Sequence, residues 1–144
     1  MKRLIYSLAF FVCVAASTPA FAQQSGGLRV EFQGPGGHSS GAYGRVSALH
    51  AAARAVILIQ KALPAGSYQI TNLTGGNSVN SIASDGLIEM KLTAANAAAY
   101  QVLVSAVTKA AAEGAAAENA FRGVKPGDLT SGAPATVRSV VKPF

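Results

Sequence analysis

Residues 34–41 read GPGGHSSG, and residues 37–41 within them match the Gly-x-Ser-x-Gly pattern that marks the nucleophile of many serine hydrolases. That chemistry requires a strand before the serine, a helix after it, and an acid and a histidine that follow in the chain. Strand-like and helix-like segments do flank Ser39. However, His50 is the only histidine after Ser39, it lies within the next helix-like segment, and no acid separates the two. A small hydrolase that uses Ser39 is therefore a distant alternative.

Two other hypotheses explain the same stretch. A glycine-rich cradle for phosphates of the GxGxxG type would need glycine at position 39, and no Gly-Lys-Ser/Thr follows. The remaining hypothesis is a loop whose working residue is His38 and not the serine. The rest of the chain has to decide between them.

The N-terminus has the pattern of a secretory signal peptide. Lys2 and Arg3 precede an apolar run over residues 4–16, and Ala-Phe-Ala at residues 20–22 predicts cleavage before Gln23. The run is shorter than the roughly 20 residues of a membrane span. Cys13 is the only cysteine and leaves with the signal, so we expect neither a disulfide nor a lipid anchor. The sequence thus predicts export to the periplasm or the medium.

Residues 23–144 are long enough for a single domain with a modest core. Without the signal they carry ten basic and six acidic residues, a formal charge of +4. The basic residues are scattered and form no run that would follow a phosphate backbone, so we predict no nucleic-acid partner. We also predict no membrane anchor.

Hydrophobic periodicity predicts four strands and two helices. The strand-like segments are residues 28–33, 67–73, 87–92 and 135–141, and the helix-like segments are residues 43–63 and a second one from about Asn96. Ser39 or Ser40 is the candidate N-cap of the first helix. Residues 75–81 read as a turn and the Gly/Pro-rich residues 123–134 as a loop.

The predicted helix faces are apolar. The residues on these faces are Val46, Leu49, Ala53, Val56 and Leu63 for the first helix, and Tyr100, Leu103, Val104, Val107 and Ala111 for the second. The order β-α-β-β-α-β predicts an α+β, ferredoxin-like fold, in which two helices cover one face of a four-stranded antiparallel sheet. The last strand is the least regular of the four.

Two separated motifs resemble a known family. GPGGHSSGAYGRVSALHAAARAV and, further on, GGNSVNSIASDGLIEMKL are similar to the dimerisation (lid) domain of the zinc metallopeptidases that include carboxypeptidase G, succinyl-diaminopimelate desuccinylase, the aminoacylases and tripeptide aminopeptidase. The similarity runs from about Leu28 to Asn119. The resemblance implies the same β-α-β-β-α-β fold.

The resemblance also implies roles for two residues. In the family, the lid histidine reaches into the partner's active site, binds substrate and stabilises the developing oxyanion, and the matching residue is His38. The family asparagine that contacts substrate matches Asn80. A glycine-rich loop can present a neutral imidazole as a hydrogen-bond donor. The alternative is that His38 and Asn80 only cap and tie their two loops.

The chain departs from the family pattern in two places. Lys91-Leu92-Thr93 stands where Asp-x-Arg is common, which removes an arginine that could clamp a carboxylate. Ala83 stands where a proline is common. The zinc ligands and the glutamate base of the family lie on a separate catalytic domain, so we expect no cofactor in this chain and read His50 as a packed or partly exposed helix residue.

The sequence therefore predicts an exported stand-alone dimerisation domain, non-catalytic alone, which forms a homodimer or pairs with a full-length metallopeptidase. The alternative is a truncated remnant of a zinc metallopeptidase gene. The predicted interface is the edge strand 67–73 with the neighbouring helix, through Ile70, Leu58 and Ile59. At least one of the consecutive Ile57, Leu58 and Ile59 must face away from the core.

Overall fold

A computed structural model describes residues 22–144. The predicted signal peptide, residues 1–22, lies outside the described residues except for Ala22. The elements are β1 (Gln24–Gln33), β2 (Gly37–His38), α1 (Ala48–Ala62), β3 (Tyr68–Thr74), β4 (Ser81–Ile82), β5 (Asp85–Ala94), α2 (Ala97–Phe121), β6 (Leu129–Thr130), β7 (Ala133–Pro134) and β8 (Arg138–Pro143). Neither described helix is long and apolar enough to cross a membrane.

The main sheet has four antiparallel strands in the order β3-β5-β1-β8. Both helices pack on one face of it, which confirms the α+β, ferredoxin-like prediction. Along β1, Leu28, Val30 and Phe32 are buried beneath the helices, while the residues between them face the other side. The period-two pattern in the sequence therefore identified the inner face of this strand correctly.

The outer face of the sheet carries cross-strand ion pairs. Arg29 Nη2 lies 2.7 Å from Glu89 Oε1, and Lys142 Nζ lies 2.7 Å from Glu31 Oε2. Hydrogen bonds from Arg29 and Asn72 hold the pKa of the Glu89 carboxyl below its usual value. The side chains of these pairs are 22–54% exposed, so screening by solvent limits their contribution to stability, but they place charge on this face.

The two helices approach each other through small residues. Gly114 of α2 lies so close to α1 that an added Cβ would stand 2.8 Å from the carbonyl oxygen of Ala51 and 2.9 Å from the Cβ of Ala55. The buried face of α1 consists of Ala48, Ala51, Ala52, Ala55 and Ile59. The predicted face was therefore wrong for Leu49 and Ala53, which are only half-buried, because close helix packing selects small side chains at the contact. Val56 is half-buried and packs against the core, as predicted.

The first helix begins later than predicted. Ser47 is its N-cap, with its hydroxyl accepting a hydrogen bond from the backbone N–H of His50 at 3.3 Å. Ser39 and Ser40, the predicted caps, instead lie in the turn after β2, and Tyr43 is 93% exposed in the same loop. The second helix begins as predicted, since Asn96 Oδ1 accepts from Ala99 N at 2.9 Å.

The C-terminal strand forms, shifted to Arg138–Pro143 from the predicted 135–141, and pairs with β1. The Asn119 side chain fixes its start by accepting from Val137 N at 2.8 Å and donating to Val137 O at 3.0 Å. The predicted loop 123–134 includes the small β6–β7 ribbon, which turns at Ser131 and Gly132, both with positive φ.

Candidate functional site

The GPGGHSSG stretch folds as a short ribbon. β2 pairs with β4, which places His38 opposite Ser81. The ribbon requires glycine at two positions, because Gly36 and Gly37 have φ values of 61° and 146°. A Cβ on Gly37 would also stand 2.6 Å from the Cβ of Ala42. The glycines therefore shape the loop that presents the histidine.

The ribbon brings the two candidate site residues together. His38 is exposed, and its Nε2 lies 3.1 Å from Asn80 Nδ2. Its Nδ1 lies 2.8 Å from Ser40 Oγ. The backbone is joined at the same point, since Ser39 N donates to Asn80 O at 2.8 Å, and Asn80 Oδ1 accepts from the Ser78 hydroxyl. His38 and Asn80 thus lie in one hydrogen-bonded cluster.

Both ring nitrogens of His38 have partners within the chain. Nδ1 accepts from the Ser40 backbone N–H at 3.3 Å and lies 2.8 Å from Ser40 Oγ, while Nε2 lies 3.1 Å from Asn80 Nδ2. This arrangement ties the two loops together. A role toward a substrate requires Asn80 to release Nε2, and it stays a prediction.

The structure places a histidine and an acid near Ser39 that chain order did not reveal. Ser39 and His50 line the same groove, and His50 Nδ1 lies 3.8 Å from Glu118 Oε1. A nucleophile must, however, share a hydrogen bond with its base. Among residues 22–144, no hydrogen bond joins the Ser39 hydroxyl to a histidine, and the Glu118 carboxylate is bound by other donors. The geometry does not support nucleophilic Ser39.

Glu118 is the centre of a charged cluster that the sequence analysis missed. Its carboxylate is fully buried and accepts from Ser47 N at 3.2 Å, Arg54 Nε at 3.1 Å and Arg122 Nε at 3.3 Å. Both arginines also lie over the Phe121 ring, at 5.0 and 4.9 Å from its centroid. An acid four residues before Arg122 in an alanine-rich helix was the available signal.

This cluster holds the N-terminus of α1 in place. Burial raises the pKa of the Glu118 carboxyl, but the hydrogen bonds from Ser47, Arg54 and Arg122 and the field of His50 lower it by more, so that it lies below its usual value. A carboxylate at the first turn is also stabilised by the helix dipole. Glu118 thus joins α2 to the start of α1.

The predicted interface residues lie at the sheet edge and on α1. Ile70 on β3 and Leu58 on α1 are half-buried. Ile59 is fully buried in the core of a single chain, so its place in the predicted interface must be corrected, because a partner cannot reach its side chain. Ile57 is the exposed one of the three consecutive residues, at 52%.

The residues present do not fit the zinc of the resembling enzymes. Within residues 22–144, no three His, Cys, Asp or Glu side chains gather as a metal site. His50 and Glu118 form a close pair, and two guanidinium groups already hold that carboxylate. A catalytic zinc site needs about three protein ligands, so no step of chemistry in this chain is assigned to a metal.

Comparisons with known proteins agree with this architecture. Solved structures with the same fold include an aminobenzoyl-glutamate utilization protein from Klebsiella pneumoniae (16% identity, TM-score 0.61, 88% of this chain and 31% of that one). They also include a tripeptidase from Staphylococcus aureus (16% identity, TM-score 0.60, 84% of this chain and 29% of that one). A third is a hydantoinase/carbamoylase family amidase from Burkholderia ambifaria (19% identity, TM-score 0.61, 87% of this chain and 28% of that one).

The chain thus spans less than a third of the length of these structures. No curated protein sequence matches it. The family model described as peptidase dimerisation domain matches residues 23–119, a range that includes α1, all but the last two residues of α2, the β2–β4 ribbon and three of the four main strands. This chain belongs to the peptidase dimerisation domain family.

Proposed function

We propose that this chain is an exported domain that acts by pairing with a second copy of itself, and that it has no hydrolytic activity alone. The observation that carries the proposal is the outer edge of β3. Within the described residues β3 pairs only with β5, and Tyr68–Thr74 contains no charged residue and no proline. Such an edge offers free backbone donors and acceptors to another strand.

Apolar surface continues from this edge onto the neighbouring helix. Leu73 on β3 is 42% exposed and Ile57 on α1 is 52% exposed. A partner that covers both side chains would gain hydrophobic burial in addition to strand pairing. A bulge at Thr71, between Ile70 and Asn72, interrupts the register with β5. We therefore expect a second chain to pair with the segment on one side of the bulge.

A full-length metallopeptidase is the alternative partner that could pair with this edge of β3. The similar solved structures include enzymes named as a tripeptidase and an amidase, and this chain matches under a third of each. A second copy is favoured because a self-complementary edge can form a closed two-fold interface. Export is proposed on the signal pattern at residues 1–22.

The test is light scattering on residues 23–144 at roughly 50 μM, since the mass of an oligomer depends on protomer concentration. The expected mass is twice that of the monomer. Ile57→Glu should raise the dimer dissociation constant at least about tenfold by burying a charge in the interface. The matched control is Val102→Glu, which changes a residue 67% exposed on α2. Val107 on the same helix is unsuitable as the control position, because it is fully buried in the core and a charge there would unfold the domain.

A light-scattering mass equal to that of the monomer under these conditions would overturn the proposed homodimer. In that case, a mass increase on mixing with a full-length metallopeptidase of the family would assign the edge to that partner instead. Equal effects of the two glutamate substitutions would show that the interface lies elsewhere.

A further inference from the structure

Two arginines meet where the first half of α1 lies beside the end of α2. Arg54 of α1 and Arg122, the residue after α2, both donate through Nε to the buried Glu118 carboxylate, at 3.1 and 3.3 Å. Each guanidinium group is therefore fixed on its Nε side by a contact within the chain. The contacts with Glu118 do not use the opposite side of each group, which carries Nη1 and Nη2.

The terminal nitrogens of both arginines are free to donate. Within residues 22–144, Nη1 and Nη2 of Arg54 and Arg122 have no hydrogen-bond partner, and they are not buried, since Arg29 Nε is the one buried side-chain atom without a partner in that range. Each arginine thus presents to solvent the pair of parallel donors that binds a planar or tetrahedral oxyanion through two hydrogen bonds.

An aromatic ring holds the two groups in place. Cζ of Arg54 lies 5.0 Å and Cζ of Arg122 lies 4.9 Å from the centroid of the Phe121 ring. A guanidinium group that is hydrogen-bonded on one side and packed on a ring loses little further side-chain entropy when it binds a ligand. The Phe121 ring is itself 66% exposed, so it offers apolar surface beside both pairs of donors.

The charges of this cluster do not balance. Arg54 and Arg122 carry two positive charges, and Glu118 carries one negative charge. In the described part of the chain, neither arginine forms an ion pair with a second carboxylate. The exposed His50, whose Nδ1 lies 3.8 Å from Glu118 Oε1, adds no negative charge. One positive charge is therefore uncompensated, which favours a bound anion.

We propose that Arg54 and Arg122 bind the phosphate group of an organic phosphate monoester, whose organic part lies against Phe121. Phosphate is favoured over carboxylate because its three terminal oxygens can accept from both arginines, whereas a carboxylate has two. The organic part is inferred from the exposed ring, which an inorganic ion would leave in water. A small-molecule ester and a phospholipid headgroup present the same chemistry. All three residues belong to one chain, so the site does not depend on the proposed homodimer.

The experiment is a nuclear magnetic resonance titration of residues 23–144 with phenyl phosphate at about pH 7.5, where the monoester is a dianion. The expected result is a saturable shift of amide signals around Arg54 and Arg122. Inorganic phosphate should bind severalfold more weakly because it cannot cover Phe121, and phenylacetate at least about fivefold more weakly because a carboxylate has fewer acceptors. Absence of saturation, or equal affinity for phenyl phosphate and phenylacetate, would overturn the proposal.

Flotation with lipid vesicles separates the two sources of the phosphate group. Phosphatidylcholine vesicles that contain phosphatidic acid present phosphate monoesters, whereas vesicles of matched surface charge that contain phosphatidylglycerol present none. Retention by the first alone supports the site with a lipid headgroup as the source. Retention by neither, together with saturable binding of phenyl phosphate, supports it with a small-molecule ester. Equal retention by both would reflect surface charge alone and would count against the proposal.

Three variants and a control complete the test. Arg54→Lys and Arg122→Lys keep the charge but remove the paired donors, and each should weaken phenyl phosphate binding at least about fivefold. Arg138→Lys makes the same change on the outer face of the sheet and should leave affinity within about twofold. Equal loss in Arg54→Lys and Arg138→Lys would overturn the proposal.

Phe121→Ala tests the organic part of the ligand, and it keeps the proposal falsifiable if either lysine variant fails to fold, because the Phe121 side chain is exposed. The substitution should lower affinity for phenyl phosphate severalfold and leave affinity for inorganic phosphate unchanged. Equal loss for both ligands would overturn the contact with the ring. A melting curve of each variant shows whether it is folded at the temperature of the titration, and light scattering reports the dimer separately.

Discussion

Replacement of Glu118 by glutamine tests whether the buried charged cluster holds the two helices together. The carboxylate accepts three hydrogen bonds, from Ser47 N, Arg54 and Arg122, at 3.1–3.3 Å. Glutamine keeps one side-chain oxygen that can still accept from Ser47 N and Arg122 Nε, as Oε1 does. It replaces the oxygen that accepts from Arg54 Nε with an amide donor, and it removes the charge that strengthens all three contacts. The cluster would then contain two guanidinium groups facing a neutral amide.

The expected cost follows from these contacts. Hydrogen bonds to charged groups contribute about 1.5–3 kcal/mol each, and breaking a fully buried ion pair costs about 3–5 kcal/mol. The side chains of Arg54 and Arg122 are 37% and 25% exposed, so water recovers part of their solvation. We therefore expect Glu118→Gln to lower the free energy of unfolding by about 2 kcal/mol, or the melting temperature by about 8 °C.

The assay is urea and thermal unfolding of residues 23–144, followed by circular dichroism at one fixed protein concentration. The matched control is Glu113→Gln on the same helix, because Glu113 is 53% exposed and its distance to Lys109 is 3.9 Å. An exposed pair of this kind contributes less than about 1 kcal/mol. Indistinguishable melting of the two variants would refute the role assigned to the cluster.

The pH dependence supplies an independent check on the same residue. The pKa of folded Glu118 lies below its usual value, so its carboxylate stabilises the fold above the pKa of the unfolded chain and ceases to do so as pH falls through the folded pKa. The stability difference between wild type and Glu118→Gln should therefore be full at pH 7 and shrink below about pH 4. A difference that stays constant down to pH 3 contradicts this assignment.

Three further outcomes are measurable by the same unfolding assay. His38→Ala and Asn80→Ala should each cost about 1 kcal/mol, and the double substitution should cost less than their sum because they remove one shared contact; strict additivity would show that the contact contributes nothing. Gly114→Ala should destabilise by about 1–3 kcal/mol through overpacking against α1, although alanine favours helix; the matched Ala116→Gly should cost about 1 kcal/mol. Gly37→Ala should destabilise the ribbon by about 1–3 kcal/mol because its φ is unfavourable for alanine.

The order and type of the main elements could be predicted from the sequence because their patterns are local. The alternation along β1 and the start of α2 near Asn96 depend on residues close together in the chain, and both were predicted correctly. The buried face of α1 could not be predicted in the same way. Its larger apolar residues were expected to face the core, whereas Gly114, distant in sequence, draws α2 so close that alanines occupy the contact.

The candidate site also combines residues that the sequence identified with contacts that it did not reveal. The family motifs identified His38 and Asn80, and the structure brings them within hydrogen-bond distance. The Glu118 cluster joins residues 71 positions apart in sequence, so neither the spacing nor the composition of one segment reveals it. The bulge at Thr71 depends on the register between two strands, which a single strand pattern does not specify.

The cluster around Glu118 and the His38 ribbon are connected through the start of α1. The Glu118 carboxylate accepts from Ser47 N. The next backbone N–H, that of Ala48, donates to Ala83 O at 3.0 Å. Ala83 directly follows β4, the strand that pairs with β2 at His38. A proline, common at this position in the family, would still provide the carbonyl oxygen that Ala48 uses. The substitution therefore leaves this connection intact. The start of α1 thus connects the cluster to the ribbon, because the Ser47 N–H binds the Glu118 carboxylate and the adjacent Ala48 N–H binds the residue that follows β4.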